Sequence, residues 1–383
     1  MRYRNNLSVL GMGCLRFPRD KTEAEKLILS AIDGGINIFD TAYIYPDSEA
    51  TLGHVLAKNN RRKDVYIVTK LPHGLCKSGD DFEHFFNKQL HRLQTDFIDY
   101  YFIHNISNFA QWEKLRKWGI EAWLENKIKL GQIRKTGFSY HGSVGDFIKI
   151  TESYPWDACM IQYNYYDEDY QAGRKGLLAA AGKDITVMIM EPLLGGRLAT
   201  GLPKSAVEIF KKANPDLTPA DWGLWWLWNQ EQVDVVFSGM AALPVLEQNI
   251  RSADAFRQLT GKEQAVYSDV VAEFRKSYKI YCTGCNYCLP CPKGINIPGC
   301  FSAYNSSYAQ SRFTGMKLYY TSIAVMAEKT FSAHNCNGCG VCEKQCPQGI
   351  PVRKALKQTV RRLEPFPLRL LLKLVRRVMR RKR

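Results

Sequence analysis

Along the first 240 residues, short apolar runs alternate with longer stretches whose apolar positions recur every three or four residues. Eight such runs occur, at 10–17, 36–42, 65–71, 98–104, 133–139, 158–164, 185–191 and 235–240. Most are rich in Val, Ile, Phe or Tyr, and their length suits strands buried on both faces. The stretches between them, such as 21–33 and 80–94, carry helical spacing. Eight strand–helix units in roughly 250 residues predict an α/β fold, a (β/α)8 TIM barrel. A doubly wound sheet is the alternative arrangement of the same units. Residues 241–281 read as helical and are expected to close the barrel. From residue 282 the pattern changes and cysteine becomes dense.

In a TIM barrel the chemistry sits at the carboxyl ends of the strands. The polar residues of the eight runs collect there: Asp40, Lys70, His104, Ser139, Gln162, Glu191 and Ser238. A purely structural pattern would not place them so.

Charge changes the picture only at the end of the chain. The net charge is +16, yet residues 353–383 hold thirteen Lys/Arg against the single acid Glu364, leaving +4 for the rest. The basic balance therefore belongs to a tail. In it Leu370, Leu371, Leu374 and Val378 can share one helix face, in a segment that also carries Arg369, Lys373, Arg376 and Arg377. Such a segment can be a solvated helix packed on the barrel, a dock for an acidic protein such as a ferredoxin, or a peripheral contact with anionic lipid. No motif points to specific nucleic-acid binding. No apolar run is long enough to span a membrane, and the N-terminus lacks the pattern of a signal peptide, so a cytoplasmic location is expected.

The twelve cysteines supply the second chemistry. Eight fall into two motifs, Cys282-Thr-Gly-Cys285-Asn-Tyr-Cys288-Leu-Pro-Cys291-Pro and Cys336-Asn-Gly-Cys339-Gly-Val-Cys342-Glu-Lys-Gln-Cys346-Pro. Without an export signal, this spacing points to metal and not to disulfides. Three cysteines at two-residue spacing wrap three corners of a 4Fe–4S cube, and the fourth, before proline, crosses to the other cube. The predicted sets are Cys282, Cys285, Cys288 with Cys346, and Cys336, Cys339, Cys342 with Cys291. A pair of four-cysteine zinc sites is the alternative, but zinc needs only two such pairs per ion and leaves the triplets unexplained. Cys14, Cys76, Cys159 and Cys300 lack motif support and read as buried thiols. With a helical stretch expected at 301–331 between the motifs, the segment resembles alpha-helical ferredoxin modules. The expected organisation is a barrel at 1–255, a connecting helix at 256–281, a small alpha-helical ferredoxin-like domain at 282–352 and the basic tail at 353–383.

Reducing a carbonyl needs a proton donor for oxygen as hydride reaches carbon. A tyrosine hydroxyl, with a pKa of about 10, is a reluctant donor until an ammonium lowers that value and a carboxylate holds the ammonium. A histidine can orient the carbonyl oxygen. Phe39-Asp40-Thr41-Ala42-Tyr43-Ile44-Tyr45, Thr69-Lys70 and Ile103-His104 carry these four groups on strands two to four. In these motifs residues 1–255 resemble the aldo-keto reductase family. The resemblance implies Asp40, Tyr45, Lys70 and His104 as a catalytic tetrad, with Tyr45 the general acid. It implies a nicotinamide cofactor whose carboxamide meets Ser139 and Gln162, with Asn249 at the adenine. The chain as a whole resembles a subgroup with a barrel before a two-cluster domain. It departs from the family pattern at Tyr140, where many members have Asn, and at Met190, where an aromatic ring is usual. Val245 and Leu246 stand where an Arg usually meets the 2′-phosphate, so the resemblance leaves NADH and NADPH both open.

Hydride carries two electrons and each cluster passes one, a mismatch that a flavin normally bridges; no flavin motif is visible, and a flavin remains an expectation of the chemistry alone. The expected function is an oxidoreductase interconverting a small carbonyl and an alcohol, coupled to electron transfer through the clusters. The alternative is a non-catalytic barrel serving as a binding or regulatory module of an electron carrier. Tyr43, Trp112, Tyr140 and His141 are the expected lining of the substrate pocket.

Overall fold

The computed structural model describes residues 1–322 and 331–366. Among these, eight parallel strands close into a barrel: β1 (Leu10–Gly13), β2 (Ile38–Asp40), β3 (Tyr66–Leu71), β4 (Ile98–Ile106), β5 (Ile133–Tyr140), β6 (Ala158–Gln162), β7 (Thr186–Met190) and β8 (Val235–Ser238). Each strand pairs with the next, and β8 returns to β1 through Val236 beside Leu10 and Ser238 beside Met12. The eight apolar runs are thus the eight strands. The first is shorter than expected: β1 stops at Gly13, and Cys14–Arg16 form a 3-10 turn. A two-stranded hairpin, Tyr3–Arg4 with Leu7–Ser8, precedes the barrel.

The interior follows the two-residue period of a strand. Ile38, Val68, Tyr100, Phe102, Ala158, Met160, Met188, Val235 and Phe237 fill it in one apolar cluster. Full burial of a side chain such as Phe102 stabilises by roughly 1.5–3 kcal/mol. Space for that ring comes from Gly137 on the neighbouring strand, where a Cβ would lie 2.4 Å from Phe102 Cε1.

The helices are amphipathic layers around this barrel. Lys21–Asp33 shows the pattern: Ala24, Leu27, Ile28, Ala31 and Ile32 form the buried stripe, and the Asp20 carboxylate accepts from the Glu23 N–H at 2.9 Å as N-cap. Chain contacts divide the molecule into two compact units. One is Met1–Leu193 with Ala220–Thr260; the other is Leu194–Pro219 with the described residues from Gly261 onward. The segment between β7 and β8 thus groups with the cysteine-rich residues. Its helix Lys204–Ala213 packs on the helix Tyr267–Ser277, with Phe210 edge-on to Tyr267 at 5.7 Å.

In the second unit the helices Ile297–Ala309, Arg312–Ser322 and Val352–Leu363 surround a core of Ile297, Phe301, Tyr304, Tyr319, Leu356 and Leu363. The described part of the helical stretch expected at 301–331 is helical, divided between two helices, and residues 323–330 lie outside the described range. Glu364, the one acid of the basic tail, is buried here and accepts from the hydroxyls of Tyr319 and Ser332. The cationic helix expected from residue 369 onward also lies outside the described residues. No helix among the described residues is long and apolar enough to cross a membrane.

Candidate active site and cysteine centres

The period that fills the barrel also builds the site. Two residues beyond Ile38, Val68, Phe102 and Met160, on the same faces, stand Asp40, Lys70, His104 and Gln162. Lys70 is 1% exposed, Asp40 6% and His104 5%. The Lys70 ammonium donates to the Asp40 carboxylate, and to the Thr41 carbonyl at 2.8 Å. It sits 5.2 Å from the centroid of the Tyr45 ring, and that ring meets His104 edge-on at 5.8 Å and 83°. The four residues expected from strands two to four thus meet at one point.

Burial dominates their electrostatics. It raises the Asp40 carboxyl above its ordinary value, against the lowering effect of Lys70. Burial, with Lys70, His73 and His141 nearby, holds His104 well below the usual imidazole range, so the ring is neutral at neutral pH. His73 is lowered by burial against its bond to the Asn105 backbone, and His141 is lowered to about 4. Three neutral imidazoles therefore face the end of β4. Of these, His73 was missed in the sequence, because it follows Pro72 outside the apolar run.

Ser139 is the penultimate residue of β5 and Gln162 the last of the adjacent β6, and both are buried. The Ser139 hydroxyl accepts from the Asn105 N–H at 2.7 Å. Asn105 has a φ of 57° where the β4–β5 ladder slips register, a bulge that re-aims the end of β4. The Gln162 amide donates to Asp167 at 2.9 Å and accepts from Gln171 at 3.3 Å. A hydroxyl and an amide at this rim form a donor and acceptor set that fits a carboxamide. Asn249 is buried on the helix Leu243–Ala255 and donates to the Ser238 hydroxyl at 2.9 Å.

A buried network behind β3 was not legible in the sequence. Glu49, 1% exposed, accepts from the Thr69 hydroxyl at 2.6 Å, the Gln89 amide at 2.8 Å and Arg92 at 3.1 Å. Gln89 also donates to the Lys70 carbonyl at 3.1 Å. The network therefore fixes the backbone that carries Lys70. Its signal was the two acids or amides at buried helical positions of 48–58 and 80–93, which periodicity alone assigns to solvent.

Two expected pocket residues are corrected. Trp112 is wholly buried against Tyr154 and Trp156, and Tyr140 packs against Phe147 with its hydroxyl donating to the Ser143 carbonyl at 2.7 Å. Both lie in aromatic packing because the bulky rings fill the space between sheet and helices. Tyr43 packs between Arg92 and Phe85.

In the second unit Cys282, Cys285, Cys288 and Cys346 line one cavity, walled by Ile297, Pro298, Phe301, Ile350 and Val352. Burial, then the neighbouring thiols Cys282, Cys285 and Cys346, push Cys288 up to about 12. Cys342 is likewise raised by burial, with Cys336 and Cys291 among its neighbours. Cys346 thus lies with the three cysteines of the first motif, and Cys291 lies near Cys336 and Cys342 of the second. Among the described residues no three or more His, Cys, Asp or Glu converge on a single ion. The motif loops share a backbone pattern, with left-handed residues at Gly284 and Asn286 in one and Gly338 and Gly340 in the other. Such alternation turns N–H groups into a concavity suited to an anionic group. A set of four thiols around a cavity with apolar walls fits a 4Fe–4S cube. Cys14, Cys76, Cys159 and Cys300 are buried and stand outside both groups.

Residues 9–268 match the model of the aldo/keto reductase family, and residues 281–350 that of the 4Fe-4S dicluster domain. The oxidoreductase YqkF of Bacillus subtilis is 26% identical over 307 residues, covering 72% of this chain and 96% of that protein. Methylglyoxal reductase YeaE of Escherichia coli is 28% identical over 210 residues, 53% of this chain and 70% of its own. A solved aldo-keto reductase from Bacillus halodurans in its holo form superposes with a TM-score of 0.59 at 22% identity, over 69% of this chain and 92% of that one. One from Klebsiella pneumoniae in complex with NADP and acetate gives 0.57 at 22%, over the same 69% and 92%. These structures share the fold. The first family match spans most of the sequence: the chain belongs to the aldo/keto reductase family, an oxidoreductase whose barrel is followed by a 4Fe-4S dicluster domain.

Proposed function

We propose that the barrel interconverts a small carbonyl compound and its alcohol, with Tyr45 as general acid and hydride from a bound nicotinamide, and that eight cysteines hold two 4Fe–4S clusters whose two one-electron changes together match the two electrons of one such conversion. The observation that carries the first half is the buried Lys70–Asp40 pair beside the Tyr45 and His104 rings. A bound nicotinamide would supply or accept the hydride; NADP or NADPH stands in the names of solved relatives, which favours that cofactor over a flavin. In this reading the Tyr45 hydroxyl gives its proton to the carbonyl oxygen. The Lys70 ammonium favours the phenolate left behind, and Asp40 keeps that ammonium in place. Neutral His104 donates a hydrogen bond to the same oxygen without competing for the proton. Ser139 and Gln162 would hold the carboxamide and so orient the ring face.

The cysteine grouping supports the second half. Cys282, Cys285, Cys288 and Cys346 would hold one cube, and Cys336, Cys339, Cys342 and Cys291 the other. Turnover of methylglyoxal with NADPH or NADH, compared between the wild type and Tyr45→Phe after anaerobic purification, tests the barrel chemistry. A loss of about 100-fold or more in kcat at unchanged KM is expected for a general acid. Equal turnover by the two proteins would overturn the assignment. Iron and sulfide analysis of the same preparations tests the clusters.

A further inference from the structure

The two cysteine groups differ in their surroundings. The group around Cys288 is walled by apolar side chains, whereas Cys339 of the second group is exposed. Beside that second group runs an open groove of about 890 Å³, with Cys336 in one wall. Its other wall is the helix Val352–Leu363, and the residues it presents are Arg353, Lys354, Lys357 and Arg361. The opposite face, Val352, Ala355, Leu356, Thr359 and Leu363, is buried, so the cationic stripe is fixed outward. Arg353 is used within the fold: it donates to Glu343 at 2.9 Å and lies over the Cys336–Cys342 loop, near Gly338 and Gly340. Lys354, Lys357 and Arg361 are exposed and make no ion pair among the described residues.

We infer that this groove is the docking surface for an acidic one-electron carrier protein, which exchanges electrons with the chain through the second cysteine group. The inference rests on the reading of that group as cluster ligands. The occupant follows from charge and position together. Three uncompensated cations within two helical turns ask for a partner rich in carboxylates. The residues that follow, 367–383, carry eight Lys/Arg and no acid, so their composition supplies no countercharge for these cations. A lipid surface or a nucleic acid would be attracted by the same charges. Neither needs a redox ligand in the wall of its site, nor a concave site. A carrier needs both, because electron exchange requires close approach of two centres and charge aligns them first. The electron balance is simple: one electron leaves the reduced carrier and one cluster is reduced, or the reverse, with no bond made or broken.

The test uses the full chain, purified anaerobically, and a purified acidic 2Fe–2S ferredoxin as probe. Three readouts are taken: iron and sulfide content, the association rate against ionic strength, and carbodiimide cross-links between carrier carboxylates and lysines of this chain. The expected result for Lys354→Glu/Lys357→Glu/Arg361→Glu is unchanged iron and sulfide with an association rate reduced about tenfold or more at low salt. The gap should close toward 1 M salt, where screening acts within about 3 Å. Cross-links in the wild type should fall on Lys354 and Lys357. Unchanged association in the variant, or cross-links confined to Lys373 and Lys382, overturns the docking surface while leaving the clusters intact. Iron-free wild-type protein overturns the underlying reading and the docking surface with it. If the triple variant does not fold, Lys357→Gln and the salt dependence of the wild type decide, and a salt-insensitive rate overturns the proposal. Binding of anionic phospholipid vesicles or a single-stranded oligonucleotide that depends on these three residues, with no binding of the ferredoxin, overturns it as well.

Discussion

Replacing Lys70 by Met keeps most of the side-chain volume and removes only its charge. The loss is large because the ammonium is 1% exposed and serves both the Asp40 carboxylate and the Thr41 carbonyl. Asp40 then stands buried as an uncompensated carboxylate. Breaking a buried pair in this way costs about 3–5 kcal/mol. For a unit of this size that is a fall of about 6–20 °C in Tm. The deficit should depend on pH with a definite sign. Burial already raises Asp40, and Lys70 opposes that rise. Without Lys70 the folded carboxyl moves further above its unfolded value of about 3.9, so the folded state takes up a proton that the unfolded state does not. Stability relative to the wild type therefore recovers as pH falls from 7 toward 4, by at most about 1.4 kcal/mol per pH unit. Asp40→Asn in the same background should restore most of the loss at pH 7, because the unpaired charge is gone. The assay is urea unfolding followed by tryptophan fluorescence: all eight tryptophans lie in the barrel unit, so the signal ignores the cysteine-rich one. A deficit below about 1 kcal/mol, or one that grows as pH falls, would falsify the burial argument.

Glu49→Ala removes the acceptor shared by Thr69, Gln89 and Arg92, and should cost about 2–4 kcal/mol in the same fluorescence assay. A change under 0.5 kcal/mol would mean that water replaces the network. Below about pH 6.5 the barrel should lose stability through His141, whose folded value of about 4 makes the unfolded state the better proton binder. The His141 part of the loss runs from pH 6.5 to 4 and totals about 3 kcal/mol; His141→Gln should reduce the slope by that amount, the rest coming from His104 and His73, and an unaltered slope refutes the assignment. Cys346→Ser and Cys285→Ser should each remove about half of the bound iron, and the double variant should remove no more than either alone, since both serve one cube. Additive losses would instead separate them into different sites.

The barrel was legible because its two periodicities are strong: every apolar run became a strand, and the helix Lys21–Asp33 fell where its spacing put it. Asp40, Lys70 and His104 were legible because a strand's alternating face carries a residue two positions past the apolar filler to the barrel mouth, whereas Tyr45 lies in the turn after β2 and was legible only through the family motif. Glu49 and Gln89 were not legible. A polar residue at a helical position is ordinarily solvated, and only the fold brings β3 behind both. Trp112 and Tyr140 misled for the opposite reason: position near a strand end suggested a pocket, while ring volume placed them in packing. The crossing of Cys346 to the first motif was readable from spacing and proline. The unequal exposure of the two groups was not, since it depends on which side of the helix Val352–Leu363 meets the core.

Closure of the barrel by β8 against β1 has a consequence for how the chain is made. Leu10–Gly13 is synthesised before Val235–Ser238, yet one of its edges finds its partner only once that later strand, some 225 residues on, exists. Until then a nascent chain presents an apolar strand edge, which is the kind of surface that chaperones hold and that aggregates when they do not. All eight strands are complete before the first motif cysteine is made. The connection between β7 and β8 nevertheless groups with the cysteine-rich unit, so the strand that closes the sheet is followed and preceded by residues of that unit.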